Sequence, residues 1–163
     1  MTFEIDPEEL LSREIDAAHI HQTLLERLLA QTSEQSLKIA GIGTDILFEQ
    51  RVADTYQRHG DRFANRILTV TEREQFQNKH EAKRINFLAK RYSIKEAASK
   101  ALGTGIGDGV SFQHMEVVYS ELGQPELLLT DVALEKAGQL GGEKMLLSVT
   151  DDHGMIVAFA LLV

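Results

Sequence analysis

The sequence predicts an α+β fold in which an antiparallel sheet packs on one long helix. Apolar residues recur at helical spacing from about Glu81 to Leu102, and Gly103 ends this stretch. The last third of the chain instead contains short apolar runs that pair as two hairpins. An irregular order of helices followed by hairpin strands favours α+β over a doubly wound parallel sheet.

Residues 1–37 are predicted to form an N-terminal helical extension and a linker. Asp6 suits the N-cap of a helix and Pro7 suits its first position, and leucines recur at helical spacing to about residue 31. The polar stretch from Gln31 to Ser36 is typical of a linker. We therefore expect an extra N-terminal helix before a body of residues 38–163.

The body is predicted to start with a strand that contains two glycines. Thr71 and Glu74 have the spacing of a capping box at the start of one of the helices that follow. Helices are expected over 48–58, 61–68, 71–77, 81–102 and 131–140. Strands are expected over 38–47, 114–119, 125–130, 144–150 and 155–163, with a turn at 151–154.

Composition excludes several function classes. The chain has 163 residues, no cysteine and a net charge of −8. Without cysteine, disulfides, thiolate catalysis and cysteine-bound zinc are excluded. No apolar run is long enough to span a bilayer, and the first residues lack a secretory signal, so we expect a cytoplasmic protein that is not in the membrane. The negative net charge argues against non-specific binding of nucleic acid.

The charge is unevenly distributed along the chain. Residues 51–100 have a net charge of +6, whereas residues 1–37 have −6 and residues 101–163 have −7. A basic segment in an acidic protein suggests an anionic partner that docks there. A solvated helix face that happens to be basic would give the same pattern.

The apolar face of the long helix becomes polar near its end. The face that carries Leu88 and Tyr92 continues into Glu96 and Lys100, which are four residues apart and therefore neighbours. Charged groups on a core-facing stripe are costly unless a partner compensates them, and a metal ion and a phosphate would do so. A simple surface ion pair between Glu96 and Lys100 is the alternative.

Asp45 is a charged residue within an otherwise apolar strand. Gly41 and Gly43 remove side chains near it, so that another group can approach closely. One carboxylate on a strand and one on a helix make a sparse oxygen site of the kind that suits Mg²⁺. Alternatively, Asp45 caps the helix that begins near Phe48.

The Gly-rich loop at 103–109 is not a known nucleotide motif. It follows a helix and leads towards a strand, whereas the dinucleotide fingerprint follows a strand, and it lacks the Gly-Lys-Ser/Thr end of a P-loop. Its N–H groups, including those of Gly103 and Gly105, could still cradle a phosphate. A flexible connection is the other interpretation.

Several of these segments resemble the holo-acyl-carrier-protein synthases. Residues 41–46 (Gly-Ile-Gly-Thr-Asp-Ile) are similar to the opening strand motif of that family, and residues 87–106 are similar to its central signature, which includes Lys-Glu-Ala-Ala-Ser-Lys at 95–100. The segments at 110–125 and 147–160 match in order and spacing. The resemblance covers residues 39–163 and departs from some members near the C-terminus, where Asp151 and Asp152 precede His153 and the expected histidine is displaced.

The resemblance implies a fold of the 4′-phosphopantetheinyl transferase type and a homotrimer with active sites between subunits. It implies transfer of 4′-phosphopantetheine from coenzyme A to a serine of an acyl carrier protein, which releases adenosine 3′,5′-bisphosphate. Asp45 and Glu96 would bind Mg²⁺, and Lys100 would contact the pyrophosphate, with Gly103 and Gly105 on the coenzyme A side. Glu96 or a neighbouring water is the candidate base.

The resemblance also identifies the basic segment as the docking surface for the acidic carrier protein. Arg51 matches one docking arginine by order and spacing, and the further candidates are Arg58, Arg62 and Arg66. Two alternatives stay open. The same site would serve another Mg²⁺-dependent transferase or hydrolase, and a chain without turnover would act as a non-catalytic module that binds carrier protein.

Overall fold

The computed structural model of the protein describes residues 38–163, so the predicted N-terminal helix and linker at 1–37 lie outside the described residues. The strands are β1 (Gly41–Phe48), β2 (Met115–Tyr119), β3 (Pro125–Leu129), β4 (Met145–Asp152) and β5 (Met155–Leu162). The helices are α1 (Glu49–His59), α2 (Asp61–Ile67), α3 (Val70–Gln77), α4 (Glu81–Ala101) and α5 (Asp131–Gln139).

The five strands form one sheet in the order β1-β5-β4-β3-β2, in which every neighbouring pair is antiparallel. The long helix α4 packs on β1 and β5. The predicted α+β class, with an antiparallel sheet on a long central helix, is therefore confirmed. Of the helices described, none has the length and apolar character needed to cross a bilayer.

Helix α4 belongs to two apolar clusters because it is buried on several sides. Its C-terminal half, including Ile94 and Ala98, packs against the sheet and α5. Its N-terminal half, including Phe87 and Leu88, packs against α1, α2 and α3. The helix therefore connects the sheet to the layer of short helices, and groups along it can meet residues of both.

The predicted capping box at Thr71 and Glu74 is wrong by two residues. The N-cap of α3 is Thr69, whose side chain accepts from Glu72 N, while the Glu72 carboxylate accepts from Thr69 N at 3.0 Å. The sequence contains both spacings. Glu72, unlike the exposed Glu74, is buried and pairs with Lys95 in the core. This tertiary contact explains why α3 begins after Thr69 and not after Thr71.

The turn between β4 and β5 is shorter than predicted. Asp151 and Asp152 are the last residues of β4, so that only His153 and Gly154 form the turn. Both turn residues have positive φ, which is the backbone geometry of a two-residue hairpin loop. His153 is exposed at this tip, where its Nδ1 lies 2.7 Å from Asp152 Oδ1.

Candidate active site

Two glycines allow β1 to approach α4 closely. A Cβ atom at Gly41 would collide with the carbonyl oxygen of Ala101, and one at Gly43 would collide with that of Ala97. Side chains two apart on a strand share a face. Asp45 therefore lies on the same face of β1 as the two glycines and is directed at α4.

Asp45 is held by two donors from α4. Lys100 Nζ donates to Asp45 Oδ1 at 2.8 Å, and Ser93 Oγ donates to Asp45 Oδ2 at 2.9 Å. Lys100 Nζ also donates to the Thr44 carbonyl oxygen at 2.8 Å. The capping alternative for Asp45 is excluded, since α1 begins at an N-cap, Phe48, that has no side-chain cap.

Glu96 lies half-buried on α4, one turn before Lys100. The predicted alternative of an ion pair between these two residues is not found, because Lys100 pairs with Asp45 instead. The phenol of Tyr92 lies beside Glu96. Burial raises the pKa of the Tyr92 phenol, and the negative charge of Glu96 raises this pKa further.

A cavity of about 290 Å³ opens beside Glu96. Tyr92 and Glu96 of α4 form one side of it, and Phe63 and Arg66 of α2 form another. Its remaining walls are the apolar side chains of Ile67, Ile106 and Phe112, so that the cavity combines an apolar lining with the charged groups of Glu96 and Arg66.

The donor set of Asp45 and Glu96 fits Mg²⁺. Within residues 38–163 no group of three or more His, Cys, Asp or Glu side chains could hold a metal. Mg²⁺ is commonly bound by only one or two carboxylates, with waters and substrate phosphates completing the shell. Each oxygen of the Asp45 carboxylate accepts one hydrogen bond, which leaves acceptor capacity for a cation.

The Gly-rich loop continues directly from the end of α4. The N–H of Gly103 donates to Lys100 O at 3.0 Å, and that of Gly105 donates to Ser99 O at 3.1 Å. Both glycines have positive φ, as residues that close a helix C-terminus often do. Because these two N–H groups are used within the loop, a contact of either glycine with coenzyme A stays a prediction.

The four predicted docking arginines are all exposed on α1 and α2. Arg62 and Arg66 line a cavity of about 410 Å³ together with Thr55 and His59 of α1. Among residues 38–163, no carboxylate forms an ion pair with any of the four. The structure thus brings Arg62 and Arg66 to one cavity between α1 and α2, whereas Asp45 and Lys100 meet at the contact of α4 with β1.

Sequence reasoning missed a buried cluster of charges behind the site. Glu72 and Lys95 are 0% exposed and Arg91 is 1% exposed. Lys95 Nζ lies 2.5 Å from Glu72 Oε2 and also donates to the Ile67 and Phe112 carbonyl oxygens. Burial lowers the pKa of the Lys95 ammonium, while Glu72 opposes this effect. The cluster joins α3 to Lys95 of α4, the residue that directly precedes Glu96.

A second missed feature is a basic cavity of about 530 Å³ at the N-terminal half of α4. Lys83, Lys90 and Arg91 line it together with Lys79, which precedes the helix. Lysines and arginines along a helix usually belong to a solvated face, so the sequence alone carried no signal that four of them surround one cavity.

The chain matches the family model described as 4′-phosphopantetheinyl transferase superfamily over residues 41–155. A holo-[acyl-carrier-protein] synthase of Shewanella amazonensis is 47% identical over 126 residues, which cover 77% of this chain and 99% of the relative.

Solved structures agree with the sequence match. A holo-[acyl-carrier-protein] synthase of Neisseria meningitidis has a TM-score of 0.70 and 37% identity over 77% of this chain and 99% of that one. A Bacillus anthracis synthase in complex with CoA (3′,5′-ADP) has a TM-score of 0.64 and 34% identity over 76% of this chain and 96% of that one. This chain therefore belongs to the 4′-phosphopantetheinyl transferase superfamily.

Proposed function

We propose that the chain is a holo-[acyl-carrier-protein] synthase, which transfers 4′-phosphopantetheine from coenzyme A to a serine of an apo-acyl carrier protein. The observation that carries this proposal is the ion pair of Asp45 on β1 with Lys100 on α4, one helix turn from Glu96. The family match and the relatives named above support the same activity.

The reaction exchanges one phosphorus–oxygen bond for another. The serine oxygen forms a bond to the phosphorus that carries the pantetheine arm, and the bond from that phosphorus to the bridging oxygen breaks. Adenosine 3′,5′-bisphosphate leaves with the bridging oxygen. Phosphoryl transfer depends chiefly on positioning and charge neutralisation. Glu96, or a water beside it, is the proposed acceptor of the serine proton.

Asp45 and Glu96 are the proposed ligands of Mg²⁺. When bound, the ion supplies positive charge that stabilises the negative charge on the reacting pyrophosphate. Lys100 is fixed beside Asp45 by two hydrogen bonds, and this supports its proposed contact with the leaving side of the same pyrophosphate. In the cavity at the N-terminal half of α4, Lys90 pairs with Asp151 and Arg91 with Glu72, and Glu49 is part of the lining. Lys79 and Lys83 are therefore the candidates there for contact with a polyanionic substrate.

The exposed arginines of α1 and α2 are the proposed docking surface for the acidic carrier protein. Arg66 supports this assignment, because it lines both the cavity between α1 and α2 and the cavity that contains Glu96. A carrier held on this surface would bring its serine to the Glu96 side of the site. Electrostatic complementarity of this kind favours fast and specific association.

A homotrimer stays part of the proposal. Its support is the sheet face that points away from α4, where Ile42, Ile46 and Phe48 of β1 are each about two-thirds exposed and Phe159 of β5 is about half exposed. Exposed apolar residues in such a group are typical of a subunit interface. The cytoplasmic location stays a prediction, and we propose that the holo-carrier product is used in fatty acid biosynthesis.

The proposal is tested by the intact mass of an apo-acyl carrier protein after incubation with this protein, coenzyme A and Mg²⁺. We expect a gain of one phosphopantetheine, which EDTA, Asp45→Ala and Glu96→Gln each abolish. No gain with several different carrier proteins would contradict the proposal. Carrier binding without turnover would then favour the non-catalytic module.

A further inference from the structure

Ser93 is buried on α4, and its hydroxyl donates a hydrogen bond to a carboxylate on another secondary-structure element. It is 0% exposed, and its Oγ donates to Asp45 Oδ2 at 2.9 Å. The other oxygen of the same carboxylate accepts from Lys100 Nζ. One helix therefore holds both oxygens of Asp45, through two donors that are seven positions apart.

The spacing of these residues places Glu96 between the two donors. Ser93, Glu96 and Lys100 stand at positions i, i+3 and i+7, which lie on one face of a helix. Seven residues of α-helix extend about 10 Å. Rotation of the Asp45 carboxylate would break one of its two hydrogen bonds, so the pair of donors fixes its orientation opposite the helix turn that carries Glu96.

The other buried serine of α4 behaves differently. Ser99 is also 0% exposed, yet its Oγ donates to the Glu96 carbonyl oxygen of the same helix at 2.8 Å. Such back-bonding is the usual way for a serine within a helix to satisfy its hydroxyl. Ser93 instead directs its hydroxyl across the helix–strand contact, where it donates to the partly buried carboxylate of Asp45.

We infer that Ser93 is a positioning residue that holds Asp45 in the orientation needed to bind Mg²⁺. The inference rests on the proposed role of Asp45 and Glu96 and deepens it. Hydrogen-bond partners of metal ligands fix the orientation of those ligands, and their loss typically weakens metal binding by about 10- to 100-fold. Ser93 is 0% exposed and so is not open to a substrate, and we expect its loss to act through Asp45.

The test compares Ser93→Ala with the matched control Ser99→Ala, each in the full chain. Binding of Mn²⁺, which favours the same oxygen ligands as Mg²⁺, is titrated by electron paramagnetic resonance without substrate. We expect Ser93→Ala to raise the Kd for Mn²⁺ at least about tenfold and Ser99→Ala to leave it unchanged. In turnover assays, Ser93→Ala should raise the Mg²⁺ concentration for half-maximal rate by the same factor and leave the KM for the carrier unchanged.

Asp45→Ala is titrated with Mn²⁺ in parallel, so that a failure of the proposed metal pair can be distinguished from a failure of the role of Ser93. If Asp45→Ala abolishes Mn²⁺ binding but Ser93→Ala binds like the wild type, the role of Ser93 is overturned and the metal pair stands. If Ser93→Ala and Ser99→Ala weaken binding equally, the effect is one of general packing and the inference is overturned. If Asp45→Ala binds Mn²⁺ as tightly as the wild type, the proposed metal pair and the inference fail together.

Discussion

Lys100 Nζ lies 2.8 Å from Asp45 Oδ1, which joins the last turn of α4 to the middle of β1 across 55 residues of sequence. The lysine does not pair with Glu96, which lies one turn before it on the helix. The ion pair leaves the Glu96 carboxylate available for another partner. In the proposed function, Lys100 would both fix Asp45 and present positive charge to a substrate phosphate.

Replacement of Lys100 should impair turnover more than folding. We expect Lys100→Met to lower kcat by about 10²–10³-fold, as loss of one preorganised electrostatic donor does in other enzymes. The side chain of Lys100 is 46% exposed, so the melting temperature should change little. Lys136→Met, in the last turn of α5, is the matched control and should retain full turnover. A kcat for Lys100→Met within threefold of the wild type would contradict the assigned role.

Gly43 should not tolerate a side chain. We expect Gly43→Ala to lower the free energy of unfolding by about 1–3 kcal/mol or more, because its Cβ would collide with the Ala97 carbonyl oxygen. Turnover should also fall, since Asp45 would shift away from Lys100. In Gly138→Ala, within α5, the new Cβ meets nothing, and the higher helix propensity of alanine should stabilise the protein by about 0.5–1 kcal/mol. Urea denaturation measures both effects, and equal stabilities of the two variants would contradict the close approach of β1 to α4.

The buried cluster behind Glu96 should be important for stability. We expect Lys95→Met to lower the free energy of unfolding by about 3–5 kcal/mol, because it leaves the Glu72 carboxylate buried with fewer partners. The exposed pair of Lys144 and Glu126, whose charged atoms are 3.9 Å apart, provides the comparison. Lys144→Met should change stability by less than about 1 kcal/mol. If both variants unfold at the same urea concentration, Lys95 does not have the structural role proposed for it.

Local patterns in the sequence were sufficient to predict the secondary-structure elements but not the long-range partners of the charged side chains. Helix α4 and the late hairpins have periodicities that identify them, and Asp45 and Glu96 stood out because charges are unusual on apolar faces. The partner of Lys100 lies on a different element, and spacing within the helix pointed to Glu96 instead. The capping box was misplaced for the same reason, since the contact of Glu72 with Lys95 has no local signature.

Asp151 should contribute pH-dependent stability at the hairpin of β4 and β5. Hydrogen bonds from Lys90 and then Asn86 lower the pKa of Asp151 below its ordinary value of 3.8. A group with a depressed pKa in the folded state stabilises the protein above its unfolded pKa, and this contribution is lost as the pH falls through the folded pKa. We therefore expect Asp151→Asn to be less stable than the wild type at neutral pH. The difference should shrink below pH 3.8.

The size of this effect is limited, because Asp151 is exposed and water screens its charge. A difference of less than about 1 kcal/mol at neutral pH is expected. Urea denaturation at neutral pH and again below pH 3.8 measures it, with Asp152→Asn at the neighbouring, more exposed position as the control. A difference between wild type and Asp151→Asn that grows as the pH falls would show that the sign is wrong.

Reversal of one charge on the proposed docking surface should weaken the binding of the carrier protein but not that of coenzyme A. Arg51 is exposed on the first turn of α1, and we expect Arg51→Glu to raise the KM for the acidic carrier by at least about tenfold, since close contacts between like charges are costly. The KM for coenzyme A should stay the same. Added salt should weaken the carrier interaction of the wild type more than that of the variant, because salt screens exposed charges. Lys144→Glu, which reverses a positive charge outside the helical layer, is the matched control. If Arg51→Glu leaves the KM for the carrier unchanged, the proposed docking surface is wrong.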